Sequence, residues 1–538
     1  MRHSKIIIIC AIITIMASSI FATILYKKIH TPEVISAYEE PLEEAPKESD
    51  PLVGLNSDFT ANEEFSTHLP IVVIDTDDVP IEMPEYELLE QMSAEDALGT
   101  GEYVQGNVTI IDSDHAVNTL QDASAVVSNM IIKRRGNTSV YFEKAQYLMK
   151  FQTESGENND VNVLGMGEHH EWILSAAMID KSMMRNYLAF SIASQVLSYT
   201  PDSVYCEVFI KQGDTYEYQG LYLMLESIAQ DVNRIDITEY AQSSVYNSYL
   251  LRRDRFNEND TMLTTYGKEY GFAAESIGVE YPTQTSISEE MIDYIQKDLW
   301  TIEEILYSDD INVFSTYPDY IDVDSFIDYF LLNEFFMNYD AGNHSTYFYK
   351  DLGGKLTMGP IWDFDGATDN YVLEAVNLED ITFQTKPWFD RLCQDEVFVK
   401  KLISRYEELR RDVLSDDAII DKIDEIVAHN GGAIEREWYR WSEYHASEYA
   451  YYGVSISTLE PYIDEDGNLV KRNALTYEEE IYGMKSALRI HGSMMSEQLE
   501  TLLGATTVST GLSGYRDYLL VLVMILFFAP AVYIYYKK

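Results

Sequence analysis

Apolar residues change their period once along this chain, and that change limits what it can fold into more than any other feature. Between residues 71 and 252 they fall in short runs that largely alternate, at 71–74, 107–111, 126–133, 147–151, 172–174, 204–211, 219–225 and 248–252. Two-residue alternation is the mark of strands with one buried face. One helical stretch, 181–197, interrupts them, with Asp180 placed as its cap and Met184, Leu188, Ile192 and Val196 at helical spacing. Beyond residue 285 the period becomes helical over 288–307, 324–337, 397–415, 418–444 and 477–502, interrupted by a hairpin at 345–350 and 355–361 around Gly353-Gly354. The expected organisation is α+β: a mixed β-sheet lobe over 67–255, an α-rich lobe over 256–395 and a helical extension over 396–505.

With 538 residues, 46% of them hydrophobic, the chain has ample material for a core. Its formal charge of -52, from 90 Asp and Glu against 38 Lys and Arg, disfavours nucleic acid and favours a basic protein partner. Of its 3 cysteines, Cys10 lies in a terminal apolar run, which leaves Cys206 and Cys393 and no zinc-ligand spacing. Any metal would therefore take oxygen ligands. The apolar run 6–26 has Arg2 and Lys5 before it and Lys27 and Lys28 after it, so 1–30 reads as a signal peptide or signal anchor. Within 517–538, residues 518–536 would span roughly 28 Å as a helix, enough to cross a bilayer. The terminal Lys537 and Lys538 would face the cytoplasm. These segments predict a membrane-anchored chain whose body is extracytoplasmic. Residues 31–66, rich in Glu, Asp, Pro and Ser, read as a disordered acidic stalk.

The densest chemistry lies between Asn333 and Asp369. A mostly apolar helix ends in a polar loop carrying Asp340 and Asn343, a hairpin follows, and its return strand ends in Trp362-Asp363-Phe364-Asp365-Gly366. Phosphoryl transfer needs an Asp to orient the attacking hydroxyl and hard oxygen ligands to hold a divalent ion against the phosphates. In protein kinases a loop with an Asp and an Asn, followed by an Asp-Phe-Gly metal ligand, supplies them. The competing reading of the same residues is a pair of Asx turns. Upstream, Lys133 to Ser139 (KRRGNTS) ends one strand, and Lys144 to Phe151 (KAQYLMKF) enters the next. Trp172 to Leu174, Asp180 to Ser182 with Arg185-Asn186, and Gly220 to Tyr222 with Glu226 follow.

Together these residues, from 71 to about 370, resemble the CotH kinase family, whose members carry an RGNxS segment, Lys-x-x-Tyr-x-x-Lys-Phe-like text and a late WDxD. The resemblance implies an atypical protein-kinase-like two-lobe fold, with ATP and Mg²⁺ or Mn²⁺ as cofactors. The acceptor it implies is Ser or Thr in secreted, surface or spore-coat proteins. Carried over by motif, Asp340 looks like the catalytic Asp, Asp363 like the metal ligand, and Asn343 and Asp365 like supporting ligands. Lys150 looks like the phosphate-binding lysine, with Lys144 as the alternative and Arg135 beside them. The helix 181–197 holds no Glu to pair with that lysine, so Glu226 is the substitute, and no Gly-rich phosphate loop is visible. Acidity favours a basic, Ser-rich protein substrate. Two rival readings are a non-catalytic surface or coat scaffold and a nucleotidyltransferase working from the same site.

Overall fold

The computed structural model describes residues 36–83, 101–113, 115–136, 139–256, 260–272, 276–370, 376–447 and 459–510. Its first half is built on β1 (Ile71–Asp75), β2 (Val104–Ile111), β3 (Val126–Arg134), β4 (Tyr147–Gln152) and β5 (Glu171–Ser175). After α1 (Arg185–Ala193) come β6 (Ser203–Gln212) and β7 (Thr215–Glu226). Neighbours run β7-β5-β4-β3-β2-β1-β6, and β6 pairs back onto β7, closing a seven-stranded barrel. All these pairings are antiparallel except β1 with β6, which lie parallel with Ile71 opposite Glu207.

The barrel replaces the open mixed sheet expected of an N-terminal lobe, and the α+β two-lobe fold class is corrected to a mixed α/β architecture around a closed barrel. Alternation cannot tell the two apart, because each strand presents the same two faces in an open or a closed sheet. Closure depends on one long-range parallel pairing and on the length of β7, which pairs β6 along 215–225 and β5 along 223–226. Val72, Ile74, Val108, Ile110, Met130, Ile132, Met149, Trp172, Val208 and Met224 fill one core cluster. The alternate set Ile173, Tyr205, Leu221, Leu223 and Leu225 packs with the helices in a second, larger core. Strands buried on both faces read as nearly continuous apolar runs, as 221–225 does.

The second sheet contains β8 (Tyr249–Asp254) and β9 (Ser276–Tyr281). After α2 (Glu289–Leu306) and α3 (Val323–Phe335), β10 (Thr346–Lys350) pairs with β8 and with the short β11 (Thr357–Met358). The expected hairpin is present, with its second strand shortened. The longer helices that follow are α4 (Glu396–Leu409), α5 (Asp416–Asn430), α6 (Gly432–Arg440) and α7 (Tyr477–Ala505). The expected helix 418–444 is broken at Gly431, whose φ of 45 a side chain rarely tolerates. Phe398, Leu402, Ile423, Met484 and Leu499 share one core with Phe326, Phe330 and Phe364, so residues read as an extension are continuous with the rest.

Two further expectations change. Among the described residues no helix is long and apolar enough to cross a membrane. The predicted terminal membrane helices, and the membrane-anchored extracytoplasmic placement built on them, are therefore withdrawn. The segments 6–26 and 518–536 lie outside the described residues. The longest helix, α7, begins with Glu478, Glu479 and Glu480 and buries Met484, Leu488, Met495 and Leu499 against protein. From residue 36 onward the predicted stalk lies on the body. The Tyr38 hydroxyl donates to Pro201 O at 2.8 Å, and Glu48 meets Arg436 at 2.8 Å. One of its acidic groups, Glu48, finds a fixed donor in Arg436, which composition alone does not reveal.

Candidate active site

The acidic loop begins where α3 stops. Its C-cap is Phe336, and Met337 then takes a φ of 53, turning the chain out of the helix. The loop is tied at several points. Gly342 N–H donates to Thr346 Oγ1 at 2.7 Å, Arg253 donates to Gly342 O at 2.8 Å, and Lys386 donates to Tyr339 O. Asn338 Nδ2 reaches Trp362 O at 3.2 Å, and Thr368 N–H reaches Phe336 O at 2.6 Å. The end of α3 is thereby bound to the WDFD turn. Ser345, Asp363, Thr368 and Asp369 also have positive φ. Non-glycine residues in that region cost about 1 kcal/mol or more each, and they gather where surrounding contacts over-determine the backbone.

Asp340 and Asp363 are brought together. Asp363 accepts Ser345 Oγ at 2.9 Å, and its carboxyl is raised above the ordinary value, first by the protein around it and next by the Asp340 charge. The side chain is nevertheless open to solvent. Asp365 is buried, and its carboxyl is raised by burial, then by Asp363, then by Asp180. Arg135 lies over the Trp362 ring, 5.6 Å from its centroid, and its charge favours the ionised form of both aspartates. Asn343 is half-buried in the same loop, its N–H held by Asp340 O at 3.1 Å.

Among the described residues no three His, Cys, Asp or Glu side chains form a ready metal cage. A nucleotide-bound magnesium does not need one, since it takes one or two carboxylates and draws its other oxygens from phosphates and water. The Asp363 and Asp365 pair fits that requirement. Each carboxylate makes the other's charge costlier, and a divalent cation would relieve both.

Sequence reasoning passed over the residues that hold this pair. Asn186, at the start of α1, donates to Asp365 and accepts Phe364 N–H at 2.8 Å. Next to it, Arg185 reaches Ala367 O at 2.9 Å while paired to Asp180 at 2.5 Å and Glu480 at 2.7 Å. The Arg-Asn pair stood among the quoted motifs, but its partners are some 180 residues away and left no local signal.

The remaining predictions separate. Lys150 on β4 faces Glu171 across the ladder and pairs with it at 2.8 Å, partly exposed. Lys144 is fully buried, pairs with Glu437 of α6 at 2.8 Å, and feels the charges of Asp365 and Asp180. Glu226 serves neither lysine. It pairs with Arg234 and accepts Tyr199 Oη and Asp202 N–H at 3.0 Å each. Arg234, eight residues further along, captures it first.

Residues 132–469 match the family model described as CotH kinase protein, a span that takes in Arg135, both acidic loops and α6. No curated protein matches the chain.

Proposed function

Since the chain belongs to the CotH kinase family, we propose that it transfers the γ-phosphoryl group of ATP to a Ser or Thr hydroxyl of a protein. The observation that carries this reading is the tie between the loop after α3 and the turn after β11, where Asn338 Nδ2 donates to Trp362 O at 3.2 Å and Ser345 Oγ donates to Asp363 at 2.9 Å, so that the Asp340 charge acts on the Asp363 carboxyl. A scaffold has no use for facing carboxylates, which destabilise one another. Asp340, exposed at the loop, orients the acceptor hydroxyl and takes its proton. Asp363 and Asp365, with Asn343, hold the divalent ion, and Mg²⁺ bound there with ATP supplies neutralising charge at the phosphates. Arg135 stands beside the pair as a fixed cation. Basic, Ser-rich segments suit the acidic surface.

The test incubates the full chain with γ-labelled and, separately, α-labelled ATP, Mg²⁺ or Mn²⁺, and a basic Ser-rich protein. Label from the γ position that Asp340→Ala and Asp363→Ala each reduce by about a thousandfold or more is the expected result. Label from the α position identifies nucleotidyl transfer instead. No label from either leaves a non-catalytic scaffold.

A further inference from the structure

Aromatic rings crowd one stretch of surface beside the second sheet. Thr265 caps a single helical turn, Tyr266–Glu269, by accepting Lys268 N–H at 3.0 Å, and the chain runs on to Phe272 against the end of α2. Tyr266 packs on Tyr270 with ring centroids 4.5 Å apart and meets Trp300 edge-on at 5.6 Å, while Phe272 stacks on Tyr307 at 4.8 Å. Folding leaves several of these side chains open. Tyr270 is 57% exposed, Phe272 47%, and Met262, just before the turn, 46%. Large apolar side chains exposed together, unlike single ones, mark a surface that meets a partner.

The rim of this patch is acidic. Glu269 lies in the turn, Glu304 on the last turn of α2, and Asp309 and Asp310 just beyond it, all exposed, and no cation occurs between Trp300 and Asp310. The Tyr266 hydroxyl is raised above its ordinary value by desolvation, then by Tyr270, Glu304 and Asp309. Nearby cations are already engaged. Lys268 donates to Ser276 Oγ at 2.7 Å, and Arg391 donates to Leu306 O at 3.1 Å and Ser308 O at 2.9 Å. Open rings bordered by carboxylates suit Lys and Arg side chains, whose cations rest on aromatic faces and pair with the rim.

Direct contacts fix the patch to the acidic loop. The Tyr307 hydroxyl accepts Trp388 N–H at 3.1 Å, Arg253 lies 4.3 Å over the Trp388 ring, and Arg253 donates to Gly342 O at 2.8 Å, between Asp340 and Asn343. Ser276, which Lys268 holds, lies opposite Asp254 across the ladder of β9 and β8.

We propose that this face, with Tyr270, Phe272 and Trp300 bordered by Glu304 and Asp309, docks a basic segment of the substrate protein that is separate from its acceptor hydroxyl. The proposal rests on the kinase reading above and adds to it the place where a Lys- or Arg-rich segment is held. General acidity attracts such a segment from any side, whereas the rings give it one seat.

Binding and turnover are read separately on the full chain. A fluorescent long peptide of alternating Ser and Arg is followed by anisotropy, and its acceptance of γ-label is compared with that of a short peptide holding a single Ser. Tyr270→Ser combined with Phe272→Ser should raise Kd and KM for the long peptide about tenfold, with kcat, KM for ATP and KM for the short peptide within about twofold of the parent. Glu304→Gln combined with Asp309→Asn keeps the rings and should raise the same Kd about threefold, a difference that high salt removes. Because those two carboxylates are exposed, this second variant decides if the first fails to fold. Long-peptide Kd unchanged in the folded variants overturns the proposal, as does equal binding of a long peptide of alternating Ser and Gln. A dimer in sedimentation that Phe272→Ser dissolves would give the face to a second copy of the chain and overturn it too. Transfer of γ-label with binding indifferent to the patch sinks only the docking site. Absence of label in every peptide sinks the kinase reading, while the anisotropy still decides whether the face takes a basic segment.

Discussion

Asn186 joins two consecutive residues of the acidic turn through one side chain, accepting Phe364 N–H and donating to Asp365. Asn186→Ala strips both, leaving a buried N–H without its acceptor and a buried carboxyl without its donor. Such losses cost roughly 1–3 kcal/mol. The variant is expected to unfold at lower urea and to lose phosphoryl transfer beyond what its stability explains, which chemical denaturation and a γ-label assay at low temperature would check. Lys181 shows the opposite use of a buried charge. It donates to Asn473 Oδ1 at 2.8 Å and Ala474 O at 2.7 Å, and burial lowers its amine from the ordinary 10.5 to about 8. The folded state therefore binds fewer protons than the unfolded state across that interval, and stability rises with pH there. Below about pH 8 the charged amine exacts its full cost, on the order of 3 kcal/mol at most. Lys181→Met should show a smaller pH-dependent gain in melting temperature between about pH 8 and pH 10.5 than the parent chain. Parallel curves would refute this.

At the level of elements, α6 fastens the strap of residues 36–66 to the barrel. Arg436 is fully buried and meets Glu207 of β6 through Nε at 2.8 Å and Nη2 at 2.9 Å, Glu48 of the strap at 2.8 Å, and Pro51 O at 3.1 Å. Removing one member of a buried ionic network leaves the others charged and unpaired, at about 3–5 kcal/mol. Arg436→Ala should accordingly be among the most destabilising single changes, and should raise protease cleavage within residues 36–66; a thermal melt with limited proteolysis checks both. A loss below about 1 kcal/mol would mean that the network relaxes into water. Most of the strands, though not β9, and the longer helices were legible here from period alone. The break at Gly431 was not, because a glycine inside a helical pattern signals a weak point without saying whether packing uses it. In this chain packing does use it, since Ala45 of the strap sits where a Cβ at 431 would project.

Across the whole molecule, the charge of -52 acts at long range while the site itself holds Arg135, Lys144 and Lys386 close to its aspartates. A basic substrate protein should be drawn in by the surrounding field, and salt screens that field over about 10 Å at 0.1 M. KM for a basic, Ser-rich protein is expected to rise severalfold between about 50 mM and 500 mM salt, with kcat changing less. A KM insensitive to salt would assign recognition to local contacts. The residue types and order of the site stood in the sequence: Asp340, Asn343, Asp363 and Asp365 occur at the ends of elements whose boundaries the periodicity located within a few residues. Their approach to one another was legible because a short hairpin joins them, and short connections keep neighbours adjacent.

What the sequence determined by itself was therefore what local period and residues near one another in the chain carry: most of the strands, the longer helices, the acidic turn and the family that the motifs resembled. The tertiary structure alone decided closure of the barrel through Ile71 opposite Glu207, the assignment of Glu226 to Arg234, and the delivery of Glu437 to Lys144. The physical reason is common to most of these. A strand's alternation or a buried charge states that a partner is needed, but the partner's identity depends on which distant backbone leaves room for it, as Gly220 does for Glu437.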